Sequence, residues 1–100
     1  MKYPTPAELR LTKVRLGLDE WTIRIFPFVK HRPDLHSEKT WGQCIYNKHT
    51  IHIDSLLSTH NVIDTIIHEC LHACIPGLTE PQVNRTATQI MRVLRRLKLI

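Results

Sequence analysis

No run in this sequence approaches the roughly 18 apolar residues of a membrane span. The opening stretch, MKYPTPAELRLTKVRLG, is broken by prolines and charges and lacks the apolar core of a secretory signal. These two absences lead to the expectation of a cytoplasmic protein with no membrane partner. Cysteine is scarce and odd in number. Cys44, Cys70 and Cys74 do not have the spacing of a disulfide framework, and this suits a reducing compartment. Cys70 and Cys74 stand four apart, and their plainest reading is two small buried hydrophobes. Repeats and low-complexity tracts are also lacking. What is present is an ordinary soluble mixture, 42% hydrophobic and 23% charged. At 100 residues the chain reads as a single domain, 1–100, with one modest core.

Charge is unbalanced toward basic, with a formal net of +5 and a pI near 9.5. Arg92, Arg95, Arg96 and Lys98 supply part of it near the C-terminal end. Cations in the last turns of a helix favour its dipole, so a solvated face accounts for them. The sharper reading is a weak association with nucleic acid through a basic C-terminal helix. No aromatic residues interleave with these charges, and no nucleic-acid motif is visible.

Local signals divide the chain. Thr5, Pro6 and Glu8 have the arrangement of a capping box with proline in the first turn, and Gly17 makes a suitable stop, so an N-terminal helix is expected between them. Trp21, Ile23 and Ile25 alternate with Thr22 and Arg24 as in a half-buried strand. Residues 27 to 40 read as a loop. Residues 41–47 and 50–54 are short strand candidates joined by a polar link, which suggests a hairpin. Asn61, with Asp64 three residues on, is expected to cap a helix that runs to about Ile75, where Pro76 and Gly77 end it. Thr79, Pro81 and Gln82 mark the start of a last helix, whose apolar stripe is Val83, Ala87, Ile90, Leu94 and Leu97. The expected class is α+β: an N-terminal helix, a short three-stranded antiparallel or mixed sheet, and two further helices.

Inside the second expected helix lies His68-Glu69-Cys70-Leu71-His72, an HExxH pattern. With seven histidines and five glutamates in the chain, chance supplies roughly 0.02 such matches. The spacing matters because i and i+4 bring two imidazoles onto one helix face, where they can share an ion. At about 100° per residue, His72 falls about 40° from His68, on the side of Asn61, Asp64, Thr65 and Ile75. Ile63, Ile66, Ile67, Cys70 and Cys74 gather opposite. Glu69 is expected at the edge of the histidine face, where it would act as general base toward a metal-held water.

Catalytic zinc ordinarily takes three protein ligands and one open position. No histidine follows His72, and Leu78 stands where metzincins place their third histidine. The only acidic residue after His72 is Glu80. It falls on the apolar side of the last helix, and the Pro76-Gly77 break would let that helix fold back against the first pair of ligands. The expected ligand set is therefore His68, His72 and Glu80.

His68-Glu69-x-x-His72 followed by Glu80-x-x-Val83-Asn84-x-x-Ala87 resembles the metal helix and glutamate helix of gluzincins, and in this size range the minigluzincins. The strands around Trp21, Gly42 and Ile51–Ile53 are similar to the compact core of SprT-like minimal metallopeptidases. Two departures stand beside the likeness. The spacing from His72 to Glu80 is short compared with large gluzincins, and SprT-like proteins usually take a third histidine. The resemblance implies a zincin-like fold, Zn2+ as cofactor, protein or peptide substrates and hydrolysis of peptide bonds, in the manner of an endopeptidase. It also implies that substrate adds as a strand to a sheet edge, for which residues 50–54 are the candidate. An extra oxyanion donor would come from His49, His52 or Tyr46. Two rival readings come from other classes: a catalytically idle zincin fold used for interaction, and a small basic nucleic-acid module with structural zinc or none. A structural site is normally closed by four ligands, and only three are in view.

Overall fold

The computed structural model describes residues 9–27 and 41–100. Four strands and two helices follow in order: β1 (Arg10–Leu16), β2 (Asp19–Phe26), β3 (Gly42–Ile45), a single 3-10 turn (Tyr46–Lys48), β4 (Thr50–Asp54), α1 (Thr59–Cys74) and α2 (Glu80–Arg96). The class is α+β, as the sequence indicates. The sheet has four strands, not three, in the order β1-β2-β4-β3. It is mixed. β1 pairs with β2 and β3 with β4 antiparallel, while β2 and β4 run parallel.

The expected N-terminal helix is corrected. Its capping signal, Thr5 to Glu8, lies outside the described residues, but Arg10–Leu16 is a strand. Thr12, Val14 and Leu16 alternate with Lys13 and Arg15, a period of two that pairing with β2 selects. Leu16 pairs with Asp19, so Gly17 and Leu18 form a two-residue hairpin turn. Gly17 has φ +64°, as the first central position of a type II′ turn requires. The glycine read as a helix stop is thus a hairpin turn residue.

One sheet face packs against α1. Ile23 lies opposite Ile51, and Ile25 opposite Ile53, across the parallel pair. Ile23, Ile51 and Ile53 form the core with Trp21 and Ala73, and Ile25 of β2 and Val62, Ile66 and Cys70 of α1 pack onto it. Ile51 and Ile53 are fully buried. Each such side chain contributes roughly 1.5–3 kcal/mol by leaving water, enough to fix which face of α1 turns inward. α1 is capped by Ser58, whose hydroxyl accepts from the Asn61 N–H. The expected cap, Asn61, therefore lies inside the first turn.

α2 begins as anticipated: Thr79 accepts from the Gln82 N–H while the Gln82 side chain accepts from the Thr79 N–H. Val83, Ala87 and Met91 are its buried residues. Leu97 of the expected stripe is exposed. The start of α2 lies against the end of α1 at Glu80 and His72. The end of α2, at Arg92 and Arg95, shares a recess with His60 and Asn61 at the start of α1. The two helices are therefore antiparallel.

Candidate metal centre

α1 places His68 and His72 one turn apart on a single face, with ring centroids 5.0 Å apart. Both imidazoles are largely shielded, yet they open to a cleft. From α2, the Glu80 carboxylate reaches across. One oxygen lies 2.6 Å from His72 Nε2 and the other 3.3 Å from His68 Nε2. Glu80 sits in the first turn of α2, held there by the Thr79 cap and by Pro81 at the helix start. Its side chain is 63% exposed, so its position between the imidazoles is not forced by burial.

Glu69 lies beside the histidine face, and its side chain is only 8% exposed, a depth that the helical spacing does not indicate. One Oε lies 3.9 Å from His68 Nε2. Burial pushes its carboxyl up to about 7, the His72 imidazole opposes that rise, and the Glu80 charge adds to it. Near neutral pH, Glu69 is therefore poised to take up or release a proton.

The burial comes from β3. A Cβ on Gly42 would meet Thr65 Cγ2 at 2.6 Å and Glu69 Cγ at 3.1 Å. Only glycine lets the strand lie this close to α1. Gly42 was missed as a site residue, although an isolated glycine in a strand pattern does signal close backbone approach.

His68, Glu69 and His72 each offer a donor atom within 4.8 Å of the others, a group that can hold a metal ion. Two carboxylates thus stand near enough to the imidazoles to complete such a group. Glu80 makes the closer approach to both imidazoles and is free to adjust, whereas Glu69 is wedged under β3.

Two recesses flank these residues. One, of about 400 Å³, is lined by Trp41, Gly42, Asp64, Thr65, His68, Glu69, Glu80 and Asn84. The other, of about 260 Å³, runs past Gln43, Cys44, Tyr46, His72 and Glu80. β3 borders both. Among the described residues it is an edge strand, whereas β4 lies between β2 and β3. The expectation that residues 50–54 offer a free edge is therefore wrong; residues 42–45 border the cleft.

Of the three residues considered as oxyanion donors, only Tyr46 lines the site. Its hydroxyl donates to the His72 carbonyl at 3.2 Å. His49 stacks on Trp21 at 5.0 Å and lies 3.9 Å from Asp19. His52 is buried, edge-on to Phe26 at 5.1 Å. Cys44 and Cys70 are half-buried thiols, pushed up to about 11 mainly by burial. Cys74 is exposed, contrary to the buried reading.

No protein-family model matches this chain, and no curated protein or solved structure matches it. No helix among the described residues is long and apolar enough to cross a membrane.

Proposed function

We propose that the protein is a zinc-dependent peptidase of the minimal gluzincin type, with His68, His72 and Glu80 as ligands and Glu69 as general base. The observation that carries this reading is the Glu80 carboxylate from a second helix, facing both imidazoles of the HExxH turn. The donor set suits zinc: two imidazole nitrogens and a carboxylate oxygen. The two Glu80 oxygens stand 2.6 Å from His72 Nε2 and 3.3 Å from His68 Nε2, so these three side chains would hold the ion between them once the exposed Glu80 side chain adjusts.

A zinc ion held there supplies Lewis acidity, polarising a scissile carbonyl and lowering the pKa of water toward ~7. The remaining work falls to the chain. Glu69 accepts the proton that the attacking water loses and passes it to the leaving amine. Its buried position keeps bulk water from competing for that proton. β3 is the last strand of the sheet among the described residues, and an extended peptide can add along such an edge as a further strand. This orients the scissile bond over Glu69. Three protein ligands are in view, where a structural site is normally closed by four.

Cleavage of fluorescein-labelled casein by zinc-loaded protein tests the reading. Glu69→Gln is expected to keep zinc and lose cleavage. Zinc binding without cleavage of casein or any other denatured protein would favour the idle fold.

A second reading draws on another surface. Arg85, Arg92, Arg95 and Arg96 are exposed on α2, whose only acidic residue is Glu80 at the far end. None of the four pairs with a carboxylate among the described residues. Such a face suits nucleic-acid phosphates. Binding of labelled DNA that weakens with salt, and weakens further in Arg92→Glu/Arg95→Glu, would support it; salt-independent binding would not.

A further inference from the structure

His72 lies in the last turn of α1, and its carbonyl has no helical donor. The residue four places on is Pro76, which carries no N–H. Proline also disfavours helical geometry in the residue before it, and Ile75 has left the helix at φ −134°, ψ 76°. The last helical bond runs from the Ile75 N–H to the Leu71 carbonyl at 2.9 Å. A ligand-bearing turn is therefore left with an orphan acceptor where helices fray most readily.

The Tyr46 hydroxyl fills that vacancy, donating to the His72 carbonyl at 3.2 Å. Tyr46 is 26 residues away in sequence, on the 3-10 turn between β3 and β4. Its ring is held independently, edge-on to Trp21 at 6.1 Å, and Trp21 is a core residue only 3% exposed. The hairpin that borders the cleft is thereby tied to the peptide group of a metal ligand.

We propose that Tyr46 is a positioning residue for His72: its phenol replaces the donor that Pro76 removes and holds the last turn of α1 in register with His68. The metal consequence rests on the zinc reading above. The hydrogen bond does not, so the two can fail separately.

The test is a cycle of wild type, Tyr46→Phe, Pro76→Ala and the double variant. Tyr46→Phe keeps the ring on Trp21 and removes only the hydroxyl. Zinc affinity, measured against a chromophoric chelator, is expected to fall about tenfold, as for other groups that orient metal ligands. Pro76→Ala lets Ile75 turn helical and offers an N–H to the His72 carbonyl, so Tyr46→Phe in that background should cost less than about twofold. A role confined to packing predicts the same loss in both backgrounds and would overturn the proposal, as would unchanged affinity in Tyr46→Phe. Hydrogen exchange at the Ile75 amide in metal-free protein gives the second readout, which needs neither zinc nor a folded Pro76→Ala. Faster exchange in Tyr46→Phe than in wild type is expected, and equal exchange overturns the proposal. Absence of zinc binding by wild type with faster exchange in Tyr46→Phe would sink the zinc reading and leave the positioning contact standing.

Discussion

Glu69→Gln should stabilise the metal-free protein at pH 8 and leave it nearly unchanged at pH 4.5. Glu69 is raised from 4.5 to about 7, with burial as the largest cause. The folded state thus binds the proton more tightly than the unfolded state does. The stability this contributes is fully present below pH 4.5 and is lost as pH rises through about 7. A shift of this size corresponds to about 3 kcal/mol at 1.36 kcal/mol per unit. Glutamine matches the protonated side chain in shape and does not titrate. The variant should therefore gain about 3 kcal/mol relative to wild type across that window. Urea unfolding in the presence of a chelator, followed by tryptophan fluorescence, should show the variant midpoint rising by roughly 1–3 M relative to wild type at pH 8. Saturating zinc should shrink the difference, because a cation nearby favours the ionised carboxylate. A pH-independent difference, or a destabilised variant at pH 8, would mean that Glu69 is well compensated where it lies. Burial would then not be what poises it as a base.

Other expectations are more local. Gly42→Ala should cost about 1–3 kcal/mol by overpacking, since the added Cβ meets Thr65 and Glu69; chemical denaturation measures it, and a neutral effect would show that β3 does not press on α1. Glu80→Ala should weaken zinc strongly in a chelator competition while leaving metal-free stability within about 0.5 kcal/mol, as for exposed positions; unchanged zinc affinity would transfer the ligand role to Glu69. Cys74 should react with a thiol reagent well before Cys44 and Cys70, which are half-buried and have raised thiols; mass mapping of the first-labelled cysteine checks this.

The parts of the fold carried by local patterns were legible. The alternation around Trp21, the hairpin of residues 42–54 and the Thr79 cap need only neighbours in sequence to be read. β1 was not legible, because Thr5 to Glu8 and Gly17 bracket it with helix signals, and only pairing with β2 makes Arg10–Leu16 a strand. The place of β4 was hidden for a similar reason. Its parallel pairing with β2 is a contact between distant segments, and it is what leaves β3 at the edge.

In the site, the face shared by His68 and His72 follows from helical spacing, and Glu80 follows from the lack of any other downstream acid or histidine. The depth of Glu69 does not follow from its own helix. It depends on Gly42, which lets a strand lie against that turn. Tyr46 could be named only as one of three alternatives, because its bond to the His72 carbonyl spans two elements.

X-ray absorption at the zinc edge of reconstituted protein tests the ion and its ligands most directly. One zinc per chain is expected, with two imidazole nitrogens at ~2.0–2.1 Å and oxygen ligands at ~2.0–2.2 Å completing the shell. The nearest oxygen contribution should change in Glu80→Ala and persist in Glu69→Gln. Failure to bind zinc, a sulfur at ~2.3 Å, or a shell altered by Glu69→Gln and indifferent to Glu80→Ala would contradict the account.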